Sequence, residues 1–338
     1  MNAPDSSSFS RRSLLAGAAA GLASLAQAQA APSTAARGVR LVVPFAPGGV
    51  LDALARALAE PVQERLGPVY VDNIAGLRGS QGSALVAKSP PDGMTLLMGS
   101  VITQSINPSI GAGRLYEPVR DFTPIGLLAR ISNVLVVNAE TARRLGLGSV
   151  VELVRHARQH PGRLTYASVG MGTTSHLAAE LFKERTGMQV NHQPYAGVNV
   201  AVKALLNGEV DFSFQNLSNT YADIRAGRLK ALAVSTLWRS IDLPEVPTLN
   251  EITAVPRLAG FDVGIWCGLF GPPKMPRELT LKLNATFVDA LSSTEVRDKL
   301  KALKAEASPS TPEQLAALVN ADLLRYRELA QRARGTLE

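Results

Sequence analysis

The sequence predicts an α/β protein of two lobes, each a mostly parallel β-sheet flanked by helices. Three observations carry that prediction. Short apolar runs alternate with amphipathic stretches of ten or more residues, the pattern of parallel strands joined by crossover helices. The chain has 338 residues and is 46% hydrophobic and 19% charged, an ordinary globular composition with length enough for two cores. Finally, one strand–glycine turn–helix unit is echoed: PFAPGG-VLDALARAL at Pro44–Leu58 and ASVGMG-TTSHLAAEL at Ala167–Leu181. Each unit is placed to supply one wall of a cleft between two lobes.

Along the chain, Val39–Phe45 reads as a strand and Leu51–Leu66 as a helix, with apolar residues recurring at three and four. Val69–Val71 is a short strand, and Gly79–Lys88 a helix closed by the Pro90-Pro91-Asp92-Gly93 turn. Thr95–Gly99 is a strand, and Ile125–Val137 reads as one long β-type run. Val150–Gln159 is a helix stopped by Pro161-Gly162. Leu164–Ala167 and Thr174–Thr186 are the strand and helix of the second unit. Val200–Asn207 and Tyr221–Ala226 read as helices, Val210–Phe214 and Ala231–Ser235 as strands. Helices close the chain at Arg277–Leu291, Glu295–Lys304 and Pro312–Ala333. The last has Thr311 as N-cap, Pro312 at its first position and Gln314 three residues past the cap.

Residues 1–30 look foreign to this pattern. Arg11 and Arg12 stand directly before the apolar, Ala-rich run Leu14–Ala26, and Ala26-Gln27-Ala28 or Ala28-Gln29-Ala30 suits an A-x-A cleavage site. This reads as a cleaved export signal, favouring the twin-arginine route over the general one, since a membrane anchor needs roughly 20 apolar residues. A flexible Ala/Ser/Thr leader, residues 31–38, follows. No later segment is apolar enough to span a bilayer, so the mature chain is expected to be soluble in the periplasm. The net charge is +7, and removing the signal lowers the excess by one. The basic residues are scattered rather than gathered into a stripe with aromatics, which argues against nucleic acid as a partner. A single cysteine, Cys267, forbids an internal disulfide and sits in the apolar run Ile265–Phe270 as a buried thiol.

The two turns have a physical use. The first N–H groups of a helix lack backbone partners and carry the positive end of the dipole, and glycines let a ligand reach them. An anion fits there without a cationic side chain. A Walker loop would need Lys and Ser/Thr where Val50-Leu51 follows Gly49, and Gly170-Met171-Gly172 has Ser175 where a dinucleotide fingerprint needs its third glycine. Polyphosphates are therefore poorly served, whereas a carboxylate asks only for a few donors. The candidate ligand-binding residues are Phe45, Ala46, Pro47, Gly48, Gly49 and Asp52 on the first turn. On the second they are Ser168, Gly170, Met171, Gly172, Thr173, Thr174 and His176, with Tyr195, Gln215 and Asn216 beyond. Asp52 reads as ordering its own loop by accepting N–H groups, and His176 as holding the turn. Phe45, Tyr195 and Trp266 are readable as cleft lining or as core, and Asn107 is a further polar candidate. His156 and His160 have helical metal-pair spacing, but no HExxH exists and Pro161 ends the helix, so no metal site and no cofactor are expected.

Eight segments in order also resemble one family: VPFAPGGVLDALAR (43–56), PDGMTLL (91–97), YEPVRDFTP (116–124), NVLVVN (133–138), PGRLTYASVGMGTTSHLAAELF (161–182), AGRLKALAVS (226–235), LPEVPT (243–248) and GFDVGIWCGLFGP (260–272). Together they resemble the Bug-type solute receptors of tripartite tricarboxylate transporters across nearly all of the chain past the signal. The resemblance implies a type II-like periplasmic binding protein fold with two hinge crossings. Lobe 1 would hold 39–131 and 256–338, and lobe 2 would hold 132–255. It implies a receptor, not an enzyme, that closes on a small organic acid gripped by main-chain groups and waters of the two turns and hands it to the permease subunits. The implied receptor works as a monomer.

The departures bear on the ligand. The family's usual Asn-Arg-Pro-Gly-Ala-Gly-Gly stretch is Asn73-Ile74-Ala75-Gly76-Leu77-Arg78-Gly79 here, Val169 replaces a common second serine, and Ala196 removes a cation after Tyr195. Gln215-Asn216 stands where Asp-Asn is frequent. A neutral amide does not select an ammonium, which points to a mono- or dicarboxylate without an amino group. Two further functions compete: a ligand-loaded receptor docking on a sensor kinase, and an exported hydrolase or lyase. The latter needs a base–nucleophile pair that Ser168, Thr174 and His176 do not obviously provide.

Overall fold

The computed structural model describes residues 38–111 and 115–332, so the export signal and the leader up to residue 37 lie outside the described residues. The described residues belong to one compact unit containing two sheets. The first sheet holds β1 (Val39–Val43), β2 (Val69–Asn73), β3 (Thr95–Ser100), β4 (Thr123–Ile131), β10 (Ile265–Gly271) and β11 (Glu306–Ala307), in the order β11-β4-β10-β3-β1-β2. The second holds β5 (Asn133–Asn138), β6 (Thr165–Ser168), β7 (Asn191–Pro194), β8 (Phe212–Asn216) and β9 (Leu229–Val234), in the order β7-β6-β8-β5-β9.

Both sheets are built alike. A parallel trio, β2-β1-β3 or β7-β6-β8, is followed by one reversed strand, β10 or β5. The reversed strands are those by which the chain enters the second sheet and returns to the first. Each therefore runs away from the boundary between the sheets, while β1 and β6 run towards it. The sheets are thus mixed rather than uniformly parallel. The consequence for function is that the carboxyl ends of β1 and β6, where the glycine turns begin, face the same boundary, the usual ligand position in open α/β sheets.

Alternation along the strands explains why helices cover both faces. Leu41, Val43, Leu96 and Met98 join one apolar cluster while Val42 and Leu97 join another. Val134 and Val136 likewise face away from Leu135 and Val137. Such strands have no polar face and read as continuous apolar runs. That is also why Ile125–Val137 read as one strand. The structure breaks it at Ser132, with β4 in the first sheet and β5 in the second, and periodicity gives no warning when both sides of both strands are buried.

The return crossing, from β9 to β10, lies beside the first. The Ser132 and Thr236 hydroxyls are 3.1 Å apart, and Ser235 exchanges hydrogen bonds with Val263. The two crossings between the sheets therefore lie side by side and are hydrogen-bonded to each other.

The helices follow the sequence reading to within a few residues: α1 (Val50–Leu66), α2 (Ser80–Ala87), α5 (Val150–Gln159), α6 (Thr174–Thr186), α7 (Val198–Leu206), α8 (Leu217–Arg225), α9 (Arg277–Ala290), α10 (Thr294–Ala302) and α11 (Pro312–Arg332). Thr311 and Gln314 cap α11 reciprocally. Two helical segments carry no clear signal. One is the π-helical turn Ile102–Ile106 running into α3 (Asn107–Ile110), and the other is α4 (Ala139–Leu145). Among the described residues no helix is long and apolar enough to cross a membrane.

Candidate functional site

The first turn leaves β1 through buried Pro44 and half-buried Phe45, then exposes Ala46, Pro47, Gly48 and Gly49 before α1 begins. Gly48 sits at φ 88°, a left-handed conformation that favours glycine. Gly49 is the N-cap and offers no side-chain cap, so the opening amides of α1 are not covered by their own sequence. Asp52, 4% exposed, orders the loop as expected. It accepts the Gly48 N–H at 2.8 Å and the Arg56 Nε–H at 3.0 Å. Arg56 also donates to Asn73 Oδ1 at 2.9 Å, and Asn73 Nδ2 donates to the Phe45 carbonyl at 3.0 Å. Burial pushes the Asp52 carboxyl up, but the Gly48 amide, Arg56 and Asn73 outweigh it and the net shift is downward.

The second turn is far more self-contained. Gly170 (φ 115°) and Gly172 (φ 66°) bend the chain, and Thr173 caps α6 while its hydroxyl donates to the Gly170 carbonyl at 2.7 Å. Ser175 Oγ accepts the Val169 N–H, Ser168 Oγ accepts the Gly170 N–H, and His176 Nδ1 accepts the Gly172 N–H at 3.1 Å. The amides of two candidate residues, Gly170 and Gly172, are therefore satisfied internally, as is that of Val169.

Behind the turn, the His176 ring lies 4.5 Å from that of His192, which stacks at 4.7 Å on Tyr166. His192 Nε2 shares a hydrogen with Ser168 Oγ at 2.7 Å. Tyr166 donates to Glu180 at 2.5 Å, and Lys183 donates to the same carboxylate. Burial, then the neighbouring His192, pushes His176 down to about 4, so it is neutral near pH 7. With Nδ1 accepting, the proton sits on Nε2, which is buried without a hydrogen-bond partner. This ring props the turn. No acid orients it as a base, and the arrangement is not a catalytic triad.

The other candidates divide. Tyr195 is half-buried and donates its backbone N–H to the Ser168 carbonyl, which keeps it beside the second turn. Thr174 is buried, and Met171 is half-buried. Gln215, 2% exposed, donates to Ser213 Oγ, and Asn216 lies opposite Asn133 in the β5–β8 ladder near the hinge. Trp266 is not beside the turns. Its indole donates to Asp322 at 2.7 Å in a pocket at the hinge that it shares with Trp238, Arg130, Asp262 and Arg325. Cys267 is fully buried, its thiol pushed up to about 12 by desolvation. The His156 and His160 rings are neighbours, 4.7 Å apart. Among the described residues no group of three or more His, Cys, Asp or Glu could hold a metal ion.

Sequence reasoning missed Arg78. Residues Gly76, Leu77, Arg78 and Gly79 all have positive φ, which turns the loop after β2 back over the first turn. A Cβ on Gly79 would lie 3.0 Å from the Phe45 ring, and one on Gly172 would lie 2.8 Å from Arg78 Nη2 and 2.9 Å from Ile110 Cδ1. The loop thus touches both turns. Asn107, a candidate liner, instead donates to the Arg78 carbonyl at 2.8 Å. The available signal was the departure itself, an arginine where the family's stretch has glycine.

Two α/β lobes joined by paired crossings, with glycine turns facing one boundary, define the architecture of a two-lobed solute-binding protein. The sequence profile described as "Tripartite tricarboxylate transporter family receptor" matches residues 54–334, and the chain belongs to that family of receptors, which are not enzymes. BugT from Bordetella pertussis is 34% identical over 315 residues, 91% of this chain and 92% of its own. MatC from Rhodopseudomonas palustris, solved with bound malate, is 30% identical with a TM-score of 0.70, covering 87% of this chain and 98% of its own. A second R. palustris protein, solved with adipate, is 33% identical with a TM-score of 0.73, covering 89% and 98%. The Bug-type resemblance therefore holds, with the two-lobed fold it implies.

Proposed function

We propose that this chain is a periplasmic receptor that captures a small organic dicarboxylate between its lobes and delivers it to a tripartite tricarboxylate-type permease. The observation that carries the reading is the uncapped opening of α1 at Gly49, facing the same boundary as the second turn. Amides there satisfy a carboxylate without a charged side chain. The relatives that hold malate and adipate support a diacid, and neutral Gln215 offers an ammonium no opposite charge. On this reading the lobes are 39–131 with 256–338, and 132–255. The ligand meets Phe45–Gly49 on one side and Ser168–Thr174 with Tyr195 and Asn216 on the other, while Asp52 and His176 hold the turns. On the same reading, the N-terminal export signal, twin-arginine in preference to general, delivers the receptor to the periplasm.

Closure is a hinge motion biased by contacts the ligand makes only in the closed state. A thermal-shift panel of organic acids tests the reading, because a ligand bound only by the folded state raises the melting temperature with concentration. Both tryptophans, Trp238 and Trp266, line the hinge pocket, so their fluorescence reports closure rather than direct contact. A folded protein that responds in neither assay to mono-, di- and tricarboxylates is not a carboxylate receptor.

A further inference from the structure

We propose that Arg78 pairs with the ligand carboxylate on the second-turn side of the gap, and so makes the site selective for dianionic acids. This deepens the receptor reading above and rests on it. The second turn has fewer free donors than the first, since Ser168, Ser175 and His176 already accept the amides of Gly170, Val169 and Gly172, and Thr173 accepts that of His176. His176 adds no charge near neutral pH. The cation is instead brought by the opposite lobe. Arg78 lies so close to Gly172 that a single methyl there would meet its guanidinium.

Among the described residues no carbonyl or carboxylate accepts from that guanidinium, whereas Arg40, Arg56, Arg228 and Arg239 each meet an acid. Surrounding protein lowers the Arg78 pKa by desolvation alone. A guanidinium stays protonated in any case, and its planar fork matches a carboxylate. Its direction is fixed by the backbone. Leu77 and Arg78 hold φ of 47° and 58°, conformations costly for side chains with a Cβ, and Asn107 grips the Arg78 carbonyl. Arg78 is itself exposed, so a ligand can reach it. The division of labour is then clear. The uncapped amides at Gly49 and α1 take one carboxylate, Arg78 takes the other, and a ligand with two anionic ends draws the lobes together.

The test is calorimetric titration of the purified protein with malate, succinate, adipate and pimelate, each against its monomethyl ester. Wild type should prefer at least one diacid over its ester by about tenfold or more. Arg78→Gln should weaken binding of that diacid by about tenfold or more, the scale for losing one partner of a charge pair that the bound ligand buries. It should erase the preference while changing ester affinity less than about threefold. Arg78→Lys should recover part of the loss, as a charge without the fork. Arg78→Gly should lose affinity equally while its melting temperature holds or rises, because glycine fits φ 58° unstrained. That result separates a binding role from a folding one. If Arg78→Gln binds the diacid within about threefold of wild type, or wild type treats diacid and ester alike, the assignment of Arg78 is overturned and the receptor reading stands. If wild type binds none of these acids, the receptor reading fails first, and the role of Arg78 with it.

Discussion

The two glycine turns share a sequence pattern, strand then glycines then helix, yet they fold into opposite kinds of structure. The first is exposed from Ala46 to Gly49, opens its helix without a side-chain cap, and is tied down at one amide by Asp52. The second is half-buried to buried, capped by Thr173, and has three of its amides taken by Ser168, Ser175 and His176. The difference lies in the residues after the glycines. Val-Leu-Asp places one acceptor at the fourth position past Gly48, whereas Thr-Thr-Ser-His crowds three hydroxyls and an imidazole into one helical turn. A glycine turn at a helix start therefore offers free donors only where the residues after it leave them open, and beside the second turn lies Arg78, the cation assigned to the ligand above.

The comparison breaks most visibly in acid. His176 has an ordinary value of 6.5 and is held at about 4 in the fold by burial and by His192, with Glu180, Lys183 and Arg78 as the other charged groups acting on it. A depressed histidine favours folding while neutral. That contribution is complete above pH 6.5 and is lost as pH falls from 6.5 through 4, amounting to about 3 kcal/mol. Asp52 is also depressed, from an ordinary 3.8, so its contribution survives until pH falls below that value. The second turn should loosen first. Hydrogen exchange between pH 6.5 and 4.5 should rise at residues 168–176 and stay flat at 45–52, and His176→Gln should flatten the stability loss seen by urea denaturation. Simultaneous loosening of both turns would undo the contrast.

Next in size is Asp52→Ala. It removes a buried acceptor from the Gly48 amide and from Arg56, and should lower stability by about 2 kcal/mol by chemical denaturation. Because Asp52 fixes the turn that leads into the open amides, diacid affinity should also fall, by about tenfold in a titration. Asp52→Asn keeps an oxygen for Gly48 and should recover most of the stability but not the ion pair. An equal loss in both variants would assign the effect to Arg56 rather than to the turn.

The fold was readable because its signals are local: apolar runs mark strands, and Thr311 with Gln314 marks the start of α11. The break at Ser132 was not readable, because strands buried on both faces look alike on either side of a crossing. The first turn was read correctly in its glycines and in Asp52, whose acceptor role depends on residues four apart. On the second turn the holding role of His176 was legible, but the acceptor roles of Ser168 and Ser175 were hidden, since they act through side-chain directions that sequence spacing leaves open, and His192 reaches Ser168 only through the β6–β7 pairing. Arg78 was hidden for a further reason. Its position depends on four successive positive φ values and on meeting Gly172 across the boundary, and neither leaves a periodic trace.

The smallest effects sharpen the contrast best, through one methyl placed on each turn. Gly172→Ala forces a Cβ into the left-handed region at φ 66° and against Arg78 and Ile110, and should cost about 1–2 kcal/mol of stability. Gly49 is extended, at φ −79° and ψ 173°, and a Cβ there meets only the Ala46 carbonyl at 3.9 Å. Gly49→Ala should therefore change stability by less than about 0.5 kcal/mol, as surface substitutions do. Yet it adds a methyl at the N-cap, next in the chain to the open amides of α1. If a carboxylate sits there, diacid affinity falls by about tenfold or more in a protein whose unfolding curve is unchanged. Unchanged affinity would move the anion off the first turn and leave Arg78 as its main anchor. Since stability and binding separate at Gly49 and not at Gly172, this pair of alanines distinguishes a turn that holds a ligand from a turn that holds itself.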